Sequence, residues 1–261
     1  MTRLRRIALL ILLSALWLAS GCMKQTASQL LGPEESWKKA RQFYERGRWY
    51  RAQEVLRDIV LNYPGSAMID SVQFLIGRCN FEMGDYLAAA DEFQRVADKY
   101  PFSKLVGDAV YWNARSYYEE SPPYALDQDY TNKALAGFQR FLEDYPTSAL
   151  SDSGYHYLSL CRTKLARKEY AAAALYHDLG EYASAILYAD VILDNYYDTP
   201  LAEPAQFLKG RSFFQLHDWE RAQKELQTYL DKYPDGRYAV RARQMLAQAA
   251  QREEPTALSK P

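Results

Sequence analysis

The sequence predicts an all-α fold. It reads as a right-handed superhelical solenoid of about five antiparallel helix pairs, with an extra helix before the fourth pair and a C-terminal capping helix. Three observations predict it. Tyr-Pro dipeptides recur at Tyr63-Pro64, Tyr100-Pro101, Tyr145-Pro146 and Tyr233-Pro234, and Tyr196-Tyr197-Asp198-Thr199-Pro200 is a fifth site with its proline displaced. Eleven residues before each first tyrosine stands an alanine: Ala52, Ala89, Ala134, Ala185 and Ala222. Four of those alanines follow an aromatic by three residues (Trp49, Tyr86, Tyr182, Trp219) and a small residue by twelve (Ala40, Gly77, Ala173, Gly210).

Each position has a physical task. Small residues let two antiparallel helices approach closely, and aromatics one turn away (Phe43, Phe81, Tyr176, Phe213) fill the wedge beside the contact. Trp49, Ala52, Tyr86, Ala89, Ala134, Tyr182, Ala185, Trp219 and Ala222 are therefore expected as packing residues. Gly47, Gly84 and Gly180 fall between the helices of a pair, where a stop with positive φ suits glycine, and His217 takes that place once. Proline at the end of the second helix blocks its continuation. The set resembles the tetratricopeptide repeat, including Ala89-x3-Phe93 and Ala134-x3-Phe138.

The intervals place the remaining elements. Pro64 to Pro101 spans 37 residues, slightly above the ~34 of an ideal unit. The stretch 119–129, with Pro122-Pro123, extends the turn of the third pair. Between Pro146 and Tyr197 there is room for the extra helix, about 150–167, with Tyr157, Leu158, Cys161 and Leu165 at helical spacing. A last helix over about 237–251 would cap the array, since terminal units need a polar outer face.

The N-terminus sets the compartment. Arg3, Arg5 and Arg6 precede an apolar run from Ile7 to Leu18, shorter than the ~20 residues that span a bilayer, and then Ala19-Ser20-Gly21-Cys22. This is a signal-peptide layout. Leu18-Ala19-Ser20-Gly21-Cys22 resembles the bacterial lipobox, with its leucine one place early, and implies cleavage before Cys22 and diacylglycerol plus an N-acyl chain on it. Several chains on one cysteine anchor stably at roughly 0.8 kcal/mol per buried CH₂. By resemblance to sorted lipoproteins, Met23 in place of aspartate points to the periplasmic face of the outer membrane.

The expected divisions are 1–21 signal peptide, 22–33 lipidated tether and 34–148 pairs one to three. The extra helix, pairs four and five and the cap follow over 149–251, and a disordered tail over 252–261. With the signal's three arginines gone, 29 of the 32 basic residues face 33 acids, a net charge of −4. That excludes the basic footprint of a nucleic-acid binder. A chain 48% hydrophobic and 25% charged is not a disordered one. Cys79 and Cys161 read as small buried hydrophobes rather than a disulfide or metal site.

Catalytic and cofactor motifs are missing: no Gly-x-Ser-x-Gly, phosphate loop, dinucleotide fingerprint or His-Glu-x-x-His occurs. His156, His177 and His217 are scattered, so no metal or cofactor is expected and an envelope hydrolase is a poor reading. The 22 tyrosines exceed what the repeat demands. Tyr50, Tyr111, Tyr118, Tyr124 and Tyr155, with Phe74, are candidates for a groove that takes an extended peptide, since a phenol offers an apolar ring and a polar tip.

The lipobox, short tether, five repeats and extra helix together resemble the BamD family, lipoproteins of the outer-membrane β-barrel assembly machinery. The most specific stretches are Leu165-Ala166-Arg167-Lys168-Glu169-Tyr170, Gly180-Glu181-Tyr182 and Gly47-Arg48-Trp49-Tyr50-Arg51-Ala52. The resemblance implies a non-catalytic scaffold. Its first repeats would recognise unfolded outer-membrane proteins. Its last repeats would dock on the periplasmic domains of the barrel-forming subunit, beside other assembly lipoproteins. Tyr188 stands where the resemblance would place a basic, partner-facing residue. A repeat lipoprotein serving as an adaptor in envelope division or cell-wall synthesis is the alternative.

Overall fold

A computed structural model describes residues 32–257. The signal peptide, Cys22 and nearly all of the tether, like residues 258–261, lie outside the described residues. Eleven helices follow one another with no strand among the described residues: α1 (Pro33–Glu45), α2 (Trp49–Asn62), α3 (Ile69–Glu82), α4 (Tyr86–Lys99), α5 (Val106–Glu120), α6 (Asp129–Asp144), α7 (Ser151–Asp178), α8 (Tyr182–Asn195), α9 (Ala202–Gln215), α10 (Trp219–Lys232) and α11 (Ala239–Ala257). Each helix packs on the next, which is the layout of a tetratricopeptide solenoid.

The periodic residues explain the pairing. Ala40, Ala52, Ala89, Ala134, Ala173, Ala185 and Ala222 are all fully buried where helices meet. Gly77 lies so close to Phe93 that a β-carbon there would sit 2.8 Å from Cε1 of the ring. The core is a chain of local clusters, such as Ala40, Leu56, Ile59, Val72 and Ile76, followed by Ala89, Phe93, Val96 and Ala109. Buried amides add cross-links: Gln73 to Glu92 and Gln206 to Glu225 join the two helices of a pair at equivalent places.

The turns repeat as well. Tyr63, Tyr100, Tyr145, Tyr196 and Tyr233 each end a second helix with φ between −127° and −134°. The carbonyl of each accepts the N–H three residues on, from Ser66, Ser103, Ser148, Thr199 and Gly236. Tyr196 keeps this geometry without its proline. Within pairs, Gly47, Gly84 and Gly180 have φ of 69°, 83° and 83°, and His217 adopts 61° in the same place.

Two boundaries differ from the sequence expectation. The additional helix is present as the first half of α7, which runs unbroken for 28 residues into the first helix of the fourth pair. No glycine or proline falls between Gly154 and Gly180, and Ala171 to Ala174 favour helix strongly, so nothing stops the chain near Arg167. The final helix also passes Gln251 and reaches Ala257, because Arg252, Glu253 and Glu254 are good helix formers; the expected tail at 252 is corrected to that extent.

The long helix shifts the array. Its first half lies along α5, with Tyr111 Oη 2.7 Å from Ser153 Oγ and Lys164 Nζ 3.0 Å from the Ser121 carbonyl. Its second half pairs with α8. Pairs four and five are thus displaced along the helix axis by roughly 20 Å, about fourteen residues at 1.5 Å each. Contacts between helices not adjacent in the chain join α5 to α7, α7 to α9 and α9 to α11. First helices therefore form the inner layer and second helices the outer one.

Candidate binding surface

The inner layer of the first three pairs carries a ladder of arginines, carboxylates and aromatics. In each first helix an arginine directly follows the small packing residue, as Ala40-Arg41, Gly77-Arg78 and Ala114-Arg115, and a glutamate stands one turn on. The side chains pair along the helix: Arg41 to Glu45 at 3.2 Å, Arg78 to Glu82 at 2.8 Å, Arg115 to Glu119 at 2.6 Å. The rungs recur every 37 residues. A residue next to the helix contact must point along its flank, so the repeat geometry itself lines these groups up.

Aromatics from neighbouring helices fill the gaps. The Arg78 guanidinium lies 3.8 Å above the Trp112 ring, and Arg115 lies 3.8 Å above Tyr157 of α7. Phe81 meets Trp112 edge-on at 5.0 Å, and Tyr118 meets Tyr157 at 5.1 Å. Tyr44 Oη donates to Glu82 Oε1 at 3.3 Å, tying α1 to α3. The Arg78 and Arg115 side chains are 24% and 19% exposed, and Nε of Arg78 and Nη1 of Arg115 are buried with no protein hydrogen-bond partner. Desolvation raises the phenol pKa values of Tyr44, Tyr118 and Tyr157, keeping them neutral donors. Desolvation also lowers that of Lys164.

Beside the ladder, α7 clamps the long turn after α5. Lys164 Nζ donates to the Ser121 carbonyl and hydroxyl, and Lys168 Nζ to the Leu126 carbonyl at 3.0 Å. Gln128, 4% exposed, closes the turn from within: Nε2 donates to the carbonyls of Pro123, Leu126 and Asp127, and Oε1 accepts from Thr131 Oγ1.

The candidate groove residues divide. Tyr118 is part of the ladder, and Tyr124 sits half-buried under Arg167, its ring 4.7 Å from the guanidinium. Tyr50 is exposed on α2 beside Gly47, Arg48 and Met83, away from both, and Tyr155 is exposed on α7. Tyr111 is a correction, and Phe74 is half-buried. Tyr111 is 4% exposed against Phe138 and Phe141, and Phe74 packs on Phe93 at 5.3 Å. Helical spacing turns positions 111 and 74 toward the second helix of their pair, whereas 112, 115 and 119 share the inner face; Tyr118 lies close to the line of Tyr111 but in the last turn, where Tyr157 of α7 meets it.

The packing set sits between helices: Tyr86 on Phe81, Tyr182 on His177, Trp219 on Phe214, and Trp49 against the first cluster. Cys79 and Cys161 are buried free thiols, each pushed by desolvation up to about 12. Among the described residues no group of His, Cys, Asp and Glu could hold a metal ion. None of the described helices is long and apolar enough to cross a membrane. Sequence reasoning missed Arg78, Trp112, Arg115, Lys164 and Gln128. The 37-residue recurrence of Arg-x3-Glu was the signal that could have found the arginines.

The YfiO family, described as an outer membrane lipoprotein, matches over residues 31–209, and a tetratricopeptide repeat matches over residues 204–236. The chain is 22% identical over 202 residues to the outer membrane protein assembly factor BamD of Caulobacter vibrioides, covering 77% of this chain and 66% of that one, just under two thirds. It is 21% identical over 194 residues to the factor of the same name from Rickettsia prowazekii, covering 74% of this chain and 77% of that one. Among solved structures it is similar to the TPR2AB-domain:pHSP90 complex of yeast Sti1 (12% identity, 86% of this chain and 85% of that chain, TM-score 0.43). It is also similar to a tetratricopeptide repeat protein from Parabacteroides merdae (16% identity, 88% and 80%, TM-score 0.37).

Proposed function

Because the chain belongs to the YfiO family of outer membrane lipoproteins, we propose that it serves outer-membrane protein assembly as a lipid-anchored scaffold on the periplasmic face. As such it acts as a scaffold and not as an enzyme. In this reading Cys22 carries the lipid. Pairs one to three receive an extended segment of an unfolded outer-membrane protein. Pairs four and five, with the cap, dock on the periplasmic domains of the barrel-forming subunit and beside other assembly lipoproteins.

The observation that supports a peptide site most directly is the ladder through Arg78, Trp112, Arg115, Tyr118 and Tyr157. It offers planar cations and ring faces to the aromatic side chains that alternate along a β-strand, and phenol donors to its backbone. Stacked arginines hold their planes fixed, so less conformational entropy is lost on binding than with free side chains.

The test is a photo-crosslinking residue at Tyr118 and another at Tyr197, with recovery from outer membranes. The expected result is unfolded barrel proteins on the first and a barrel-assembly subunit on the second. Recovery of division or cell-wall proteins alone would overturn the reading in favour of an adaptor in those processes. Cys22→Ala should abolish acyl labelling and release the protein from the membrane.

A further inference from the structure

We propose that the edge of pairs one to three formed by the turns between pairs lies against the membrane surface, with Phe102 seated among the lipid headgroups and upper acyl chains. The inference rests on Cys22 being the anchor.

Antiparallel pairing gives the array two edges. All first helices of pairs one to three begin, and all second helices end, on the same one. The turns 63–68, 100–105 and 145–150 lie there, and so does Pro33, where the tether enters α1. The turns touch: Ser103 Oγ donates to Asp70 Oδ2 at 2.6 Å, and Pro101 to Lys104 line a cleft with Tyr145 to Ser148. Cys22 to Gly32 is eleven residues, a reach of at most about 40 Å. The far edge is a further helix length away, about 21 Å for fourteen residues. The tether thus enters at the turn edge, and the far edge is one helix length more distant from the anchor along the chain.

Phe102 sits at the tip of the middle turn and is 99% exposed. A single exposed aromatic is ordinary on a protein surface. The other turns, however, carry Gly65, Thr147, Asp198 and Asp235 at the equivalent position, so packing asks for nothing apolar there. Exposed Lys99 and Lys104 flank it, and Leu61, 77% exposed, stands at the end of α2 on the same edge. An aromatic between lysines is the side-chain set of an interfacial contact. The step in α7 lifts pairs four and five away from this edge, which leaves them free of the membrane for a protein partner.

The experiment uses the chain from Met23 onward with an N-terminal hexahistidine tag, held on vesicles of phosphatidylethanolamine, phosphatidylglycerol and a nickel-chelating lipid. A fluorophore is placed at Phe102→Cys or, on the opposite edge, at Asp85→Cys. Buried Cys79 and Cys161 do not compete for it. Nitroxide-labelled phospholipid should quench the label at position 102 at least about threefold more than the label at 85. Equal quenching, or stronger quenching at 85, overturns the proposal. Because the chelating lipid supplies the anchor, this outcome is independent of whether Cys22 is acylated, which acyl labelling of the native chain reads separately.

Discussion

Arg162, midway along α7, grips Asp198 in the one inter-pair turn that lacks the Tyr-Pro dipeptide. Its Nε donates to both carboxylate oxygens at 3.0 and 2.9 Å, and Nη2 donates to Oδ1 and to the Asn195 carbonyl, each at 2.6 Å. Thr199 Oγ1 also donates to the Tyr196 carbonyl at 2.7 Å. Side-chain bonds hold here what a rigid ring enforces elsewhere. Arg162→Ala should cost about 1 kcal/mol, below the usual value of a charge-assisted bond because the Asp198 side chain is 47% exposed. Hydrogen bonding from Arg162 holds the Asp198 carboxyl below the ordinary range. Its contribution is therefore present above the unfolded pKa and lost as pH falls through the folded one. Urea unfolding of the variant at neutral pH and at pH 3 checks both: the difference from the parent should shrink in acid.

His217 is the non-glycine with positive φ among the described residues, at 61°, in the turn where other pairs place glycine. A side chain there costs roughly 1–2 kcal/mol, partly offset by the larger unfolded-state entropy of glycine. His217→Gly should raise stability by about 0.5 kcal/mol, with the loss of the Trp219 ring contact setting the upper limit. A lowered urea midpoint would show that the imidazole stabilises this turn.

At Gly77, by contrast, the constraint is space. Gly77→Ala should destabilise by about 1–3 kcal/mol, because the new methyl meets the buried Phe93 ring at 2.8 Å. Gly77→Ala combined with Phe93→Leu should recover part of that loss, a coupling that a double-mutant cycle measures. A simple sum of the two effects would mean that the helices separate instead.

How far this fold could be read from the chain depended on what each residue had to do locally. Ala52, Gly77 and the Tyr-Pro turns serve contacts within one or two helices, so spacing alone exposed them. The continuity of α7 was harder. Whether Arg167 to Tyr170 breaks or runs on depends on helix propensity without a punctuating residue, while the surrounding repeats argued for a stop. Tyr111 and Tyr118 show the limit for the surface. Both are tyrosines on nearly the same face of α5, two turns apart, yet Tyr111 meets Phe138 and Phe141 of α6 while Tyr118, in the last turn, meets Tyr157 of α7. Counting excess tyrosines could not separate them, whereas tracking the residue after each small packing position would have reached Arg78 and Arg115.

His177 supplies a pH dependence. It is 4% exposed, with Nδ1 2.9 Å from Ser212 Oγ, and the Tyr182 ring, Arg211, Arg241 and Asp178 are its neighbours. Desolvation first, then the arginines, hold its pKa below the ordinary 6.5. The unfolded chain therefore takes up the proton first, and stability present above 6.5 is lost as pH falls from there toward the folded pKa. His177→Gln should flatten the stability profile over that window, by urea unfolding at half-unit steps. An unchanged slope would place the titrating group elsewhere.

The ladder makes the sharpest demand on chemistry. Arg115 stacks at 3.8 Å on Tyr157 while its Nη2 holds Glu119, so a planar guanidinium is used on its face and its edge at once. Lysine keeps the charge but has no face to stack. Arg115→Lys should therefore lose most of what Arg115→Ala loses in stability, about 1–2 kcal/mol for a desolvated cation–π contact. If the ladder also receives peptide, both variants should weaken capture of an unfolded barrel protein about tenfold in equilibrium crosslinking at Tyr118. Arg41→Ala, whose side chain is 59% exposed and paired with Glu45, should change stability by less than about 0.5 kcal/mol. Full capture by Arg115→Lys would show that charge alone is recognised, and the stacking geometry would then belong to the fold and not to the site.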